Sequence, residues 1–284
     1  MKVGLQMYSV RDSFAADPLG TLEKVAEAGY HYVEFANKIA ETDPGVGVGI
    51  SADVMRAKLE SLGIKPVGCH IGPFTEEGLD GFIKFHGDLG TETIGMSKDF
   101  WPTREYLLER CRVYNRIGER CRKGGIQFLY HNHYHEFQLM GGERILDIIA
   151  ASTDPEFVAL ELDAYWAFRG TEDPAARIHD YGSRVRMIHE KDFPLEEVRY
   201  LDVWTRLDRN TPVTLEQFQE LKRPSEFVEL CDGMIKVQDV IDAGNAVGAR
   251  YFLVELDFGR EPTEIDRIVK SRQNMQKLHG IDWQ

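Results

Sequence analysis

Hydrophobic positions along the chain alternate between two spacings, one typical of amphipathic helices and one of short buried strands. In residues 104–123 apolar side chains recur at intervals of three and four, and Gly124 and Gly125 then lead into the mostly apolar run 126–132. A glycine just past a helix supplies the left-handed residue that ends it. Apolar runs of about five to seven residues suit strands buried on both faces, as in a parallel sheet.

The same unit repeats along the whole sequence. Its apolar runs predict eight strands, at residues 2–8, 31–36, 66–71, 92–96, 126–132, 157–163, 184–189 and 251–256. Helix start signals lie between them: Asp17 and Asp173 each precede a proline, and Ser51 can cap a helix whose apolar face holds Val54, Met55, Leu59 and Leu62. A last helix is predicted near 262–278.

Eight strands alternating with helices predict an α/β fold, a (β/α)₈ TIM barrel. The 284 residues match what one such domain needs, so we expect a single domain over 1–284. The alternative is an open, doubly wound sheet. Against it, no G-x-G-x-x-G follows the first strand, where the chain has Tyr8-Ser9-Val10-Arg11-Asp12.

One segment breaks the alternation. Residues 193–237, after strand seven, are rich in charge and far longer than an ordinary connection. Because loops after strands lie at the carboxyl end of a barrel, this insertion is expected on the catalytic rim. It could serve as a lid or a subunit contact, or be a loop without a separate role.

Metal-binding side chains stand where three of the predicted strands end. Asp163 closes an apolar run, His189 closes the next, and Glu255 closes the last. Since parallel strands of a barrel end at one rim, these groups should converge. Two carboxylates and an imidazole predict a site for one divalent ion, with Mn²⁺ the first expectation and Mg²⁺, Co²⁺ or Zn²⁺ as alternatives.

The fourth ligand is expected from the tract after strand five, which holds three histidines and Glu136. Glu136 would complete a set of three carboxylates and one imidazole, which suits Mn²⁺ or Mg²⁺. Period-two alternation places His131 and His133 on one side of the strand. If either of them is the ligand instead, the site becomes more zinc-like.

Such a site predicts proton transfer next to a carbonyl, because an ion chelated by two sugar oxygens can stabilise an enediolate. Glu136 and Glu255 are the expected acid-base pair. His131, His133 and Lys191 are further candidates for acid-base or hydroxyl-binding roles. Trp166, with Phe168, could wall a sugar ring, and His70 and Arg169 are candidate polar contacts to the substrate.

The composition of the chain limits which kinds of binding partner we expect. A net charge of −13 argues against nucleic acid, since phosphate backbones need a basic face. Four cysteines without close spacing predict free thiols. No apolar stretch approaches the roughly 18 residues of a membrane span, and no signal peptide is evident. We therefore expect a cytoplasmic protein whose partner is a small carbohydrate, with a homodimer or homotetramer as an open alternative to a monomer.

At these residues the chain resembles the xylose isomerase-like TIM-barrel superfamily, the sugar phosphate isomerases/epimerases. The resemblance covers nearly the whole chain, and its motifs are 4–11, 130–137, 162–167, His189-Glu190-Lys191-Asp192 and Val254-Glu255-Leu256-Asp257. It implies one divalent metal held by Glu136, Asp163, His189 and Glu255. The chain departs from several epimerases of the superfamily, which have the ligand glutamate within strand five, where this chain has His131.

The leading hypothesis is thus a metal-dependent isomerase or epimerase acting on a ketose or related carbohydrate. The superfamily also includes inosose dehydratases and enzymes that cleave 3-keto-glycosides, so a lyase is the alternative. An endonuclease of the endonuclease IV type would need more metal ligands and a basic DNA face. A sugar-binding protein without catalysis is the fourth reading.

Overall fold

Eight parallel strands form a closed barrel in the computed structural model, which describes residues 1–284. The strands, in chain order, are β1 (Lys2–Gln6), β2 (Tyr32–Asn37), β3 (Lys65–Ile71), β4 (Thr93–Met96), β5 (Gln127–His131), β6 (Val158–Asp163), β7 (Val185–Glu190) and β8 (Tyr251–Val254). β1 pairs with both β2 and β8, which closes the ring. The predicted α/β TIM barrel is confirmed, and each predicted strand matches an observed one to within about two residues at either end.

Helices surround the barrel. They are α1 (Arg11–Ala16), α2 (Pro18–Glu27), α3 (Ala52–Leu62), α4 (Leu79–Leu89), α5 (Arg104–Lys123), α6 (Ile145–Ser152), α7 (Ala164–Arg169), α8 (Pro174–Tyr181), α9 (Leu215–Glu220), α10 (Val237–Val247) and α11 (Glu264–Asn274). A short antiparallel hairpin, Leu139–Met140 with Glu143–Arg144, follows β5. None of these helices is both long and apolar enough to cross a membrane.

The predicted helix starts are confirmed by side-chain caps. The carboxylate of Asp17 accepts the N–H of Gly20, the hydroxyl of Ser51 accepts that of Val54, and Asp173 caps α8 in the same way. One predicted core position is wrong, because Val54 is 52% exposed and Met55 and Leu59 bury the face instead. All four cysteines are free, as expected.

Two hydrophobic cores hold the barrel. The larger one packs helices against the outer faces of the strands. The smaller one fills the amino-terminal part of the barrel interior with side chains from five strands; we call these six residues the apolar layer: Val67, Leu129, Ala159, Met187, Tyr251 and Leu253. Two residues after Leu129, Ala159, Met187 and Leu253 come polar residues at the next level, which is where the chemistry begins: His131, Glu161, His189 and Glu255.

The inserted segment 193–237 consists of short 3₁₀ turns and the helix α9. Asp192 fixes its base, because the carboxylate accepts backbone N–H groups of Phe193, Cys231, Gly233 and Ile235. The segment places Phe218, Gln219 and Lys222 beside the cavity at the carboxyl end of the barrel.

Arg169 ties the insertion to the barrel, so the predicted substrate contact is corrected. Its guanidinium is fully buried and lies 3.0 Å from a carboxylate oxygen of Glu226, with the Tyr165 hydroxyl at 2.9 Å. It also donates to the carbonyls of Tyr200 and Leu201. A guanidinium with every side occupied by protein has no face left for a substrate.

Candidate functional site

Three strand ends bring metal-binding groups together at the carboxyl end of the barrel. Asp163 on β6 stands beside His189 on β7 in the strand register, and Glu255 follows β8. Their ligand atoms all lie within 4.8 Å of one another, and Nδ1 of His189 is 2.7 Å from Oε2 of Glu255. We call these three residues the metal cluster. It unites Asp163, His189 and Glu255, three residues singled out in the sequence.

The donor set fits a divalent ion. Two carboxylates and one imidazole suit Mn²⁺, Mg²⁺, Co²⁺ or Zn²⁺ without deciding among them. The ammonium of Lys191 contacts Oδ2 of Asp163 and lies 2.7 Å from Oε2 of Glu255, so it must move aside for those oxygens to coordinate an ion. Without an ion, the Lys191 ammonium balances the charge of these two carboxylates.

Burial and neighbours set the charges of the two carboxylates differently. Burial raises the pKa of Asp163 to about 6, although Lys191 opposes the rise. Burial alone would raise the pKa of Glu255 too, but Lys191 and His189 outweigh it and hold that pKa well below its usual range. Glu255 is therefore ionised at neutral pH and can accept a proton or a cation.

Beneath the metal cluster lies a second group of buried polar side chains, which we call the polar layer: Glu34, His70, His131 and Glu161. Nε2 of His70 lies 2.5 Å from Oε2 of Glu161, and Nδ1 of His131 lies 3.1 Å from the same oxygen. His189 joins this layer to the metal cluster, with its Nε2 lying 2.7 Å from Oε2 of Glu34 and 3.0 Å from Oε1 of Glu161.

These contacts orient the His189 ring. Burial alone would lower its pKa, but the carboxylates of Glu161 and Glu34 outweigh burial and raise the pKa well above its usual range. With a proton on Nε2 held between these acids, Nδ1 is the nitrogen that faces the metal cluster, and it would ligate an ion after losing its own proton. The polar layer therefore selects which ring nitrogen can ligate.

Glu136 lies outside the metal cluster, which corrects its predicted ligand and acid-base roles. Its carboxylate accepts the Tyr130 hydroxyl at 2.8 Å and the backbone N–H of His133 at 2.9 Å. Strand β5 ends at His131, and the 3₁₀ turn 135–137 carries Glu136 back behind the strand. Sequence alone did not reveal this turn, because the tract continues with the same polar residue types.

A cavity of about 710 Å³ opens above the polar layer. Among the residues predicted from the sequence, it is lined by His70, His131, His133, Trp166 and Glu255. Asp163, His189 and Lys191 are buried beneath its floor and reach it through Glu255. The cavity thus joins proton-accepting groups, an aromatic wall and one residue of the metal cluster.

Two residues of this site, Glu34 and Glu161, were not singled out from the sequence. Both stand inside a strand, and both are fully buried. Glu161 comes two residues before Asp163, so period-two alternation would have placed it on the same inward side. A charged residue within an otherwise apolar run was the available signal at Glu34.

Comparisons with known proteins agree on the fold. No protein-family model matches the chain. A sugar phosphate isomerase/epimerase from Parabacteroides distasonis superposes with a TM-score of 0.77 over 97% of this chain and 93% of that one, at 22% identity. An IolI protein with a bound zinc atom (TM-score 0.68, 14% identity, 97% and 96%) and an L-ribulose 3-epimerase (0.67, 13%, 96% and 93%) are also similar. The fold is that of the xylose isomerase-like TIM barrels.

Among proteins of assigned function, an inosose dehydratase from Mesomycoplasma hyopneumoniae is 26% identical over 200 residues. The match covers 63% of this chain and 64% of that protein, so it spans just under two thirds of the relative's length.

Proposed function

We propose that the protein is a divalent-metal-dependent enzyme that moves a proton next to the carbonyl of a small carbohydrate, as a sugar isomerase or epimerase. The observation that carries this proposal is the metal cluster of Asp163, His189 and Glu255, placed directly beneath a cavity large enough for such a molecule. A bound ion would act there as a Lewis acid on the carbonyl and hydroxyl oxygens of the substrate.

The side chains of the cavity divide the proton transfers between them. Glu255 is ionised and can accept a proton from the carbon beside the carbonyl. Burial lowers the pKa of His133 well below its usual range, so its imidazole is neutral and can also accept a proton. The two residues follow β8 and β5, which are separated by β6 and β7 in the ring, so they approach a bound substrate from different sides.

A dehydratase acting on a keto-inositol or keto-sugar is the second candidate, and the similarity to inosose dehydratase favours it. Elimination begins with the same removal of the proton beside the carbonyl, after which a hydroxyl on the next carbon leaves as water. The departing hydroxyl needs a proton, which the base that took the first proton can return to it, so that the step balances as the loss of one water.

One experiment separates these candidates. The purified protein is incubated with Mn²⁺, Mg²⁺, Co²⁺ or Zn²⁺ in turn and a panel of ketoses and keto-inositols in D₂O, and products are followed by NMR and mass spectrometry. Deuterium at the carbon beside the carbonyl, with an altered configuration or with the carbonyl moved to the neighbouring carbon, supports the epimerase or isomerase, and loss of one water supports the dehydratase. If neither occurs with any of the four metals, the proposed function is wrong. The Asp163→Ala/His189→Ala variant serves as the inactive control.

A further inference from the structure

We propose that the substrate carries an anionic group, a phosphate monoester or a carboxylate, and that this group binds to Lys38, Lys98 and Lys222 at the outer part of the cavity. The inference rests on the proposed function, because it takes this cavity as the substrate site. It adds the class of substrate and the residues that select it.

The three lysines line the same cavity from three separate parts of the chain. Lys38 follows β2, Lys98 follows β4, and Lys222 belongs to the inserted segment. The ammonium groups of Lys38 and Lys222 lie 3.6 and 5.3 Å from the centre of the Tyr8 ring, so they flank one side chain. Lys98 lies 5.5 Å from the ring centre of Phe218, beside them.

Two of the three charges, those of Lys38 and Lys98, are not balanced by a carboxylate of the protein. Of the cations that line the cavity, Arg110 pairs with Asp99 at 2.6 Å and Lys222 pairs with Asp257 at 2.7 Å. Lys38 and Lys98 have no carboxylate within ion-pair distance, in a chain with 47 acidic and 34 basic residues. What sets these two apart from other exposed lysines is that both line one cavity, where their positive charge is available to an anion from outside.

Repulsion among the three ammonium groups also supports an anion-binding site. Burial lowers the pKa of Lys98, and the neighbouring charges of Lys38 and Lys222 lower it further. An anion held between these ammonium groups would relieve the repulsion. The site offers lysines as point charges, while the cavity's arginine is already paired, so it suits an anionic group approached from several directions.

The layout fixes the orientation of the substrate. Glu255, His131 and His133 line the inner part of the cavity, where the carbonyl would react, and the lysines follow strand ends and the insertion at its outer part. A substrate with its carbonyl inward and its anionic group outward would contact both. The insertion would then take part in recognition through Lys222.

Direct binding of three small probes tests the proposal without any turnover. Glycerol 3-phosphate, glycerate and glycerol are titrated into the full chain by calorimetry, in EDTA so that no anion binds through a metal. We expect at least one of the two anions to bind about tenfold or more tightly than glycerol, as two added charge contacts would give. A preference for the phosphate ester or for the carboxylate identifies the anionic group.

Lys38→Gln/Lys98→Gln should abolish that preference, while Lys38→Arg/Lys98→Arg should keep it. Lys24→Gln, an exposed lysine on α2 outside the cavity, is the matched control and should bind like the wild type. Equal binding of all three probes, or a preference that survives the double glutamine variant, overturns the proposal. Because Asp163→Ala/His189→Ala should lose the metal and keep the anion preference, failure here is distinguishable from failure of the proposed function.

Discussion

The interior of the barrel is divided between two levels with opposite chemistry. The apolar layer closes the amino-terminal part, and the polar layer with the metal cluster fills the carboxyl part. The same strands build both. On β6 the inward residues run Ala159, Glu161, Asp163, and on β7 they run Met187 and His189, with Lys191 directly after the strand.

The comparison shows how stability and function are separated along one strand. Each step of two residues moves a side chain from a level stabilised by burial to a level where burial is costly unless charges are paired. The apolar layer can gain free energy from contact alone. The polar layer needs the contacts of Glu34 and Glu161 to hold His189 in place, and these contacts direct one nitrogen at the metal cluster.

The largest effect is expected from removing the metal cluster. Asp163→Ala/His189→Ala should bind no divalent ion and lose several kcal/mol of transition-state stabilisation, about 10⁴-fold or more in rate. Elemental analysis after Mn²⁺ loading and the turnover assay measure this. Glu136→Gln is the matched control, because the structure places that carboxylate on Tyr130. If Glu136→Gln also loses the ion, the assignment of the cluster is wrong.

A pH dependence should follow from the polar layer and not from the apolar one. Burial lowers the pKa of His131 to about 3, against about 6.5 for an exposed histidine. As the pH falls, the unfolded chain therefore binds this proton before the folded chain does. The contribution of His131 to the free energy of unfolding is complete above pH 6.5 and is lost as the pH falls towards 3. It amounts to at most about 5 kcal/mol.

Urea unfolding of the metal-free protein between pH 7 and pH 4 measures this loss. In His131→Asn the free energy of unfolding should decline less steeply as the pH falls, because asparagine does not titrate. Parallel curves for the wild type and the variant would contradict the assignment.

A cavity in the apolar layer should cost stability and spare the site. Leu129→Ala removes a fully buried side chain and should lower the free energy of unfolding by about 2 to 5 kcal/mol. Metal affinity of the folded protein should stay unchanged, since Leu129 lies one level below His131. Urea unfolding and Mn²⁺ titration measure the two quantities separately, and a matching loss of metal affinity would show that the two levels are coupled.

The barrel could be predicted from the sequence because its signals are local. Gly124 and Gly125 end a helix and precede β5, and the apolar run 126–132 is itself the strand. The core face of α3 was less predictable at Val54, where tertiary packing decided which side is buried. Of the site, Asp163, His189 and Glu255 were found because they stand where strands end.

Residues that depend on distant contacts were not predictable. Glu226 lies 57 residues from Arg169 along the chain, so sequence could not show that the pair is buried. The turn that removes Glu136 from the site depends on the hydroxyl of Tyr130 behind the strand. Glu34 and Glu161 were not predicted, because both charges lie inside strands and not at the strand ends where the other site residues stand.

Glu161 gives the most specific test of the separation between the apolar and polar levels of the barrel, and its expected effect is the smallest. Glu161→Gln keeps the shape of the side chain and removes the charge that holds the proton of His189. We expect metal affinity to fall by about 10- to 100-fold, the usual cost of losing the carboxylate behind a ligating histidine. Mn²⁺ titration measures it, and Glu172→Gln, on a buried carboxylate outside the barrel interior, is the control.

Unchanged affinity would mean that Glu34 alone orients the ring, since both carboxylates contact Nε2 of His189. A loss in Glu161→Gln that Glu34→Gln reproduces would instead show that the two acids act as one unit.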